Sequence, residues 1–278
     1  MLEKQSSRTF INLLGIPSLL AIIIAGDSFN HIPIFSIFIG IVLFLGVKEI
    51  PGLVKGLHGQ PFLPLLLIFI AILQINRHPA ITLNISVYNL LIGITLIAMT
   101  TEIFRKKQTP LLNISSVVFA FVWLGLMLGS LSTLRNIPTI GFSITLALFL
   151  SVWICDTSAF GFGMKFGKSR ILPEVSPKKT WVGSIAGLTS SIIFMMILFR
   201  FNFFTEHVSY MDALVLGLIS GIFGQLGDFA ESLLKREANI KDTSNFLRGH
   251  GGILDRFDSL TFAVPLTLIY CNYFIIVG

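Results

Sequence analysis

Acidic and basic side chains near the end of this sequence have a spacing that could support phosphate chemistry. Three of them and one serine are spaced i, i+3, i+4 and i+7, and would share one face of a helix: Asp228, Glu231, Ser232 and Lys235. The two carboxylates would repel each other unless a cation lay between them, and oxygen ligands of this kind suit Mg²⁺. The pattern predicts a divalent-cation site.

A second pair of carboxylates, Asp255 and Asp258, is spaced i, i+3 at the start of the last apolar stretch and could form the other wall of such a site. Before it comes the turn "GHGG", in which Gly251 and Gly252 allow a close approach of the backbone to a ligand. His250 in that turn is either a ligand or acid–base group or an ordinary turn residue. Five cations suited to a polyphosphate accompany these residues: Lys235, Arg236, Lys241, Arg248 and Arg256.

An earlier polar segment, "CDTSAFGFGMKFGKSRILPEVSPKKTWVGS", offers a second phosphate contact. Asp156 ends an apolar stretch, where an acidic side chain is costly and favours a functional role. The glycines do not form a Walker A loop, because position 162 is phenylalanine. "SPKKT" predicts a helix start with Ser176 as N-cap and with Lys178 and Lys179 in the first turn, where a bound phosphate would offset their charge.

The chemistry predicted from these two segments is phosphoryl or nucleotidyl transfer. Such reactions are catalysed mainly by positioning and by neutralising the charge on phosphate oxygens with Mg²⁺, lysine and arginine. A nucleophilic side chain is unnecessary when the substrate brings its own phosphate or hydroxyl.

The composition predicts that these segments sit on an all-α integral membrane protein. Of the 278 residues 54% are hydrophobic and 12% charged, with a mean hydropathy of +0.84, whereas soluble domains are about 25% charged. Nine stretches have about the length that a bilayer requires: 9–26, 32–50, 61–76, 83–103, 112–134, 139–159, 180–200, 210–231 and 259–277. We expect one polytopic domain, 1–278, with N-terminal helices over 9–134 and a catalytic half over 139–278 that carries the cytoplasmic segments 156–179 and 228–258.

The sidedness of positive charge sets the expected orientation. With nine crossings, 17 of the 20 Lys and Arg fall on the side of the N-terminus and three on the other side. This predicts a cytoplasmic N-terminus, an active site facing the cytoplasm and a C-terminus on the opposite side. The net charge of +6 is thereby explained by topology, and no nucleic-acid partner is expected.

The stretch "SLLKREANIKDTSNFLRGHGGILDRFD", 232–258, resembles the signature of phosphatidate cytidylyltransferases (CDP-diacylglycerol synthases). "DTSAF" at 156–160 and "SPKKTW" at 176–181 are similar to other blocks of that family, so the resemblance covers about 156–260. Two positions depart from its pattern. Arg248 replaces a small residue or proline, and Val182 replaces a glutamate.

The resemblance implies attack by a phosphatidate oxygen on the α-phosphorus of CTP, with pyrophosphate leaving. It implies metal-binding carboxylates at Asp228 and Asp255, supporting carboxylates at Glu231, Asp258 and Asp156, and Mg²⁺, paired in some members with a monovalent ion such as K⁺. Phosphate contacts are implied for six cations: Lys178, Lys179, Lys235, Arg236, Lys241 and Arg256. It further implies a helical membrane bundle that tends to form homodimers, here expected in a bacterial cytoplasmic membrane.

Three alternatives stay open. A related CTP-dependent lipid enzyme, polyprenol kinase-like or an ether-lipid cytidylyltransferase, would use similar head-group chemistry. A transporter is less favoured, because the carboxylates lie at the ends of spans on one side and the first half lacks matching features. A catalytically weakened paralogue is suggested by Val182.

Overall fold

The computed structural model is helical throughout the part of the chain that it describes, which is residues 15–27, 32–81, 83–204, 206–244, 246 and 251–276. No β-strand occurs in these residues, and the only extended pairing among them is an isolated bridge between Arg170 and Thr180. The prediction of an all-α protein is confirmed. The chain divides into two compact units, Met1–Thr133 with Leu234–Arg256 and Leu134–Leu233 with Phe257–Gly278.

The first unit is built from five helices and the later segment Leu234–Arg256. The helices are α1 Gly15–Ala25, α2 Ile34–Val54, α3 Leu63–Arg77, α4 Val87–Arg105 and α5 Pro110–Ala120. Helix α2 packs against α3, α3 against α4, and α4 against α5. The fully buried side chains Phe35, Ile39 and Leu43 of α2, with Leu66 of α3 and Ile94 of α4, form the core of this unit.

A π-helical stretch, Phe121–Leu128, continues α5 and is capped by an arginine from α3. A π turn leaves backbone carbonyls without their usual α-helical partners. Arg77 donates to the carbonyl oxygens of Gly125 at 2.6 Å and Leu126 at 3.1 Å. The guanidinium therefore adds a charged donor to two backbone acceptors of this stretch.

We expect Arg77→Ala to lower the free energy of unfolding by about 2–3 kcal/mol, because two carbonyls lose a charged donor. Thermal unfolding of the purified protein in detergent measures this change. Arg200→Ala removes an exposed arginine at the end of another helix and serves as the control, with a change below about 0.5 kcal/mol. Equal destabilisation by both substitutions would contradict the capping role.

The second unit contains α7 Gly141–Phe166, α8 Trp181–Arg200 and α9 Tyr210–Leu218, the last continuing through a π stretch, Ile219–Phe223, into α10 Gly224–Glu237. It also contains most of α11 Leu254–Tyr270 and the π stretch Cys271–Ile275. Short α6, Ser130–Arg135, and helices α10 and α11 each contribute residues to both units.

Helix α7 extends beyond the predicted end of its span, which was residue 159, and runs through Phe166. The glycine-rich stretch is thus helical, although glycine disfavours helix. Packing against α8 explains the exception. A Cβ on Gly183 of α8 would lie 2.5 Å from the Ala159 carbonyl oxygen and 3.2 Å from the Gly163 Cα of α7, so the two backbones approach too closely for a side chain there.

Six helical stretches of the described residues are long and apolar enough to cross a membrane. They are Ile34–Leu57, Val87–Arg105, Pro110–Arg135, Gly141–Phe166, Trp181–Arg200 and Tyr210–Glu237. Gly15–Ala25 and Leu63–Arg77 are apolar but shorter. The protein is an integral membrane protein, and its apolar helices coincide with the predicted spans to within a few residues at most ends.

Candidate active site

In the second unit, a carboxylate of the signature helix pairs with a lysine from a distant block of the sequence. The Asp228 carboxylate on α10 lies 2.5 Å from the Lys179 ammonium, and each side chain is 27% exposed. The Ser232 hydroxyl donates to the other Asp228 oxygen at 3.3 Å, one helical turn on. Lys179 also lies 4.1 Å over the ring of Phe229, so its charge is held from two sides.

Asp156 on α7 belongs to the same neighbourhood. Its carboxylate interacts electrostatically with both Asp228 and Lys179. Asp156 itself is exposed to solvent. Two carboxylates and one lysine therefore share a region in which a further cation would be stabilised.

The segment that carries Lys178 and Lys179 is a turn and not the predicted helix start. Ser176 and Lys179 close a β-turn, with the Lys179 N–H donating to the Ser176 carbonyl at 3.3 Å, and Pro177 occupies a turn position that proline favours. The N-cap of α8 is Thr180, whose hydroxyl accepts from the Gly183 N–H at 3.2 Å. The prediction of Ser176 as N-cap was wrong because the turn uses the same Ser-Pro pattern.

In the first unit, three donors hold the other implied metal carboxylate, and a hydroxyl shared with Glu49 lies beside it. Lys235 donates to one Asp255 oxygen at 2.6 Å, and both side chains are 10% exposed. The other oxygen accepts from the Gly252 N–H at 2.7 Å and from the Thr243 N–H at 3.0 Å, and the Thr243 hydroxyl lies 3.0 Å from it.

These contacts determine the ionisation of Asp255. Burial alone would raise the pKa of its carboxyl, but the hydrogen bond from Lys235 and those from the Gly252 and Thr243 N–H groups outweigh burial and lower the pKa below its ordinary value. The ionised carboxylate therefore stabilises the folded state. This stabilisation is fully present above the unfolded-state pKa of about 3.9, and it is lost as the pH falls through the lower pKa of the folded state.

The remaining predicted residues are distributed as follows. Glu231 is fully buried on α10, and the Asp258 carboxylate accepts from the Ser259 N–H at 2.7 Å. Four candidate cations are exposed: Lys178, Arg236, Lys241 and Arg256. Gly251 has a φ of +80°, which only glycine adopts without strain. His250 and Arg248 lie outside the described residues.

The chain has recognisable relatives among known proteins. The model of the cytidylyltransferase family matches residues 6–274. The chain belongs to the cytidylyltransferase family.

Similar members of this family are named phosphatidate cytidylyltransferase. The protein of Staphylococcus saprophyticus is 35% identical over 176 residues, which cover 63% of this chain and 66% of the relative. That of Staphylococcus aureus is 30% identical over 244 residues, covering 84% and 88%. That of Bacillus subtilis is 32% identical over 171 residues, covering 61% and 62%. The sequence resemblance to this family is confirmed.

The two implied metal ligands of this cytidylyltransferase differ in how well they fit Mg²⁺. Among the described residues, no three His, Cys, Asp or Glu side chains form a metal cluster. Mg²⁺ does not require one, since it is commonly held by one or two carboxylates, water and substrate phosphates. Asp228 fits, because its side chain is more than a quarter exposed, as is that of its ion-pair partner Lys179. Asp255 fits Mg²⁺ less well, because both of its carboxylate oxygens already accept hydrogen bonds from Lys235, Thr243 and Gly252.

One contributor to the cytidylyltransferase signature segment was missed from sequence. Glu49 on α2 is 5% exposed and accepts hydrogen bonds from Thr243 and Ser244. The sequence signal for Glu49 was an acidic residue inside an apolar helix. Its neighbour Lys48 was already explained by the sidedness of positive charge. The buried hydroxyl of Thr243, which lies between Glu49 and Asp255, was missed as well.

We expect Gly252→Ala to reduce turnover by about tenfold or more, because its Cβ would overlap the Thr243 hydroxyl and both Glu49 carboxylate oxygens. Steady-state rates of the purified enzyme measure this loss. Gly40→Ala on α2 is the matched control, since an added Cβ there meets nothing within 4 Å. A Gly252→Ala enzyme as active as the Gly40→Ala enzyme would show that the approach at Gly252 is not needed.

Proposed function

We propose that this protein is a phosphatidate cytidylyltransferase, which converts CTP and phosphatidate to CDP-diacylglycerol and pyrophosphate for phospholipid biosynthesis. One observation carries the proposal: the "SPKKTW" block and the helix that leads into the signature block, far apart in the chain, meet in the Lys179–Asp228 pair. Membership of the cytidylyltransferase family and the names of the relatives support the same reaction.

In the proposed reaction, a phosphate oxygen of phosphatidate attacks the α-phosphorus of CTP. The new P–O bond forms as the bond to the β-phosphate bridging oxygen breaks, and that oxygen leaves with pyrophosphate. Lys179 neutralises phosphate charge, and the exposed Lys178, Lys241 and Arg256 attract the triphosphate. Asp228 pairs with Lys179 before substrate binds and keeps its ammonium in place.

Asp228 would hold Mg²⁺, with Asp156 nearby, while Asp255 orients Lys235. When bound, Mg²⁺ supplies positive charge at the triphosphate oxygens. Asp258 and Glu231 are proposed as supporting carboxylates, His250 and Arg236 as further catalytic groups, and K⁺ as a second ion.

The proposed setting is a bacterial cytoplasmic membrane with the active site facing the cytoplasm. The excess of Lys and Arg on one side of a nine-span arrangement supports a cytoplasmic N-terminus and a C-terminus on the opposite side. Gly15–Ala25, Leu63–Arg77 and the α11 region would be the three spans beyond the six long helices. We also propose that the protein acts as a homodimer, as the family resemblance implies.

The proposed activity is tested by pyrophosphate release from the purified protein in mixed micelles with Mg²⁺. We expect release only when CTP and phosphatidate are both present. Replacing phosphatidate by a polyprenol or by diacylglycerol should abolish it. Release that persists without phosphatidate, or that requires a different lipid acceptor, would refute the proposal.

A further inference from the structure

Glu49 is a buried carboxylate of α2 that accepts hydrogen bonds from four donors of the C-terminal signature segment. Thr243 and Ser244 donate their hydroxyls to it, each at 2.7 Å. The N–H groups of Ile253 and Leu254 donate at 2.8 and 3.0 Å. Four donors around two oxygens give a carboxylate a nearly complete set of hydrogen bonds.

Two of these donors belong to the beginning of a helix. Helix α11 begins at Leu254. The first N–H groups of a helix have no partner within the helix, and a negative charge beside them is favourable. Glu49 therefore caps α11 from a different helix, a role that a neighbouring Ser, Thr, Asp or Asn usually fills.

The same carboxylate is coupled to Asp255 through one hydroxyl. The Thr243 hydroxyl lies 2.7 Å from a Glu49 oxygen and 3.0 Å from an Asp255 oxygen, and it has one hydrogen to donate. The Asp255 carboxylate in turn holds the ammonium of Lys235 at 2.6 Å. A displacement of Glu49 would thus be transmitted to Thr243, then to Asp255 and Lys235.

We propose that Glu49 is a positioning residue for cytidylyl transfer, which fixes Thr243, the Gly252 turn and the start of α11 so that Lys235 and Asp255 are correctly oriented. This inference rests on the proposed function. It assigns a role in the reaction to the N-terminal helices, which the sequence motifs leave without one.

A second buried carboxylate of the same unit provides the matched control. Glu102 on α4 is 8% exposed, pairs with Arg105 and accepts from the Asn113 amide at 3.0 Å. Arg105 lies on α4 and Asn113 on α5, and neither belongs to the signature segment. Loss of either carboxylate should destabilise the first unit, but only loss of Glu49 should affect the signature segment.

The test compares Glu49→Gln with Glu102→Gln. Glutamine keeps the shape of the glutamate side chain but places an NH₂ group against the hydrogen-bond donors that the carboxylate accepted from. For Glu49→Gln we expect kcat/KM for CTP to fall by about tenfold or more per folded molecule. Amide hydrogen exchange should become faster in peptides covering 251–256. Glu102→Gln should stay within about threefold of wild type and leave that exchange unchanged. Combining Glu49→Gln with Thr243→Val should cost less than the product of the single losses, because the two residues act through one contact.

Several outcomes would overturn the inference. One is a Glu49→Gln protein with wild-type kcat/KM and unchanged exchange at 251–256. Another is an equal loss of activity in Glu49→Gln and Glu102→Gln once each activity is divided by the fraction of folded protein. If wild type itself shows no phosphatidate-dependent turnover, the proposed function fails. Exchange at 251–256 then decides separately whether Glu49 holds the segment.

Discussion

Asp228→Asn is expected to reduce kcat by about 10²-fold or more while leaving the fold nearly unchanged. The substitution keeps the shape of the side chain but removes the charge that holds Lys179 and would bind Mg²⁺, and preorganised charge at a phosphoryl site is a large part of catalysis. The stability cost should be below about 1 kcal/mol, because this pair is partly exposed. Initial rates at several Mg²⁺ concentrations, with thermal unfolding in parallel, measure both effects.

The control for this prediction is Glu237→Gln, which neutralises an exposed carboxylate at the end of the same helix. It should retain activity within about twofold, as surface substitutions usually do. An Asp228→Asn enzyme with normal kcat and a normal Mg²⁺ requirement would remove Asp228 from the site.

Lys235→Met is expected to affect both stability and activity. Its partner Asp255 is buried to the same degree, and removing one member of a buried ion pair costs about 3–5 kcal/mol. We also expect kcat to fall by about 10²-fold, because the ammonium is one of the proposed phosphate contacts. Thermal unfolding and initial rates of the purified variant measure these two changes.

Two further variants separate the structural from the catalytic role of Lys235. Lys48→Met removes an exposed lysine that lies 4.3 Å over the ring of Phe44, and should change stability by less than about 0.5 kcal/mol. The double variant Lys235→Met/Asp255→Asn removes both charges, and should regain part of the stability but none of the activity. A double variant that regained activity would show that the pair is structural only.

The helical placement of the residues from Asp228 to Lys235 was predictable from sequence because their pattern is local. The i, i+3, i+4 and i+7 spacing from Asp228 to Lys235 required only a helix, and α10 provides it. Apolar composition likewise determined the helical class. The partners of these residues were not predictable. Lys179 with Asp228 and Thr243 with Asp255 are separated in sequence, and local spacing carries no information on such pairs.

Errors in the sequence-based prediction arose where tertiary contacts outweigh local preference. Ser176 and Pro177 fit a helix start as well as a turn, and the cap at Thr180 became evident only from its bond to Gly183. The predicted span ended at residue 159, but the helix continues through the glycines to Phe166, where α7 packs closely against α8. Glu49 has no motif around it, because all four of its donors come from the other end of the chain.

The most direct test of the account is the fate of labelled CTP in the presence of phosphatidate, Mg²⁺ and the purified protein. Label from α-³²P-CTP should appear in CDP-diacylglycerol, only when phosphatidate is present, and label from γ-³²P-CTP should appear only in pyrophosphate. Label from γ-³²P-CTP in the lipid would instead identify a kinase. Absence of lipid label from both nucleotides, under conditions in which a relative is active, would contradict cytidylyl transfer by this protein.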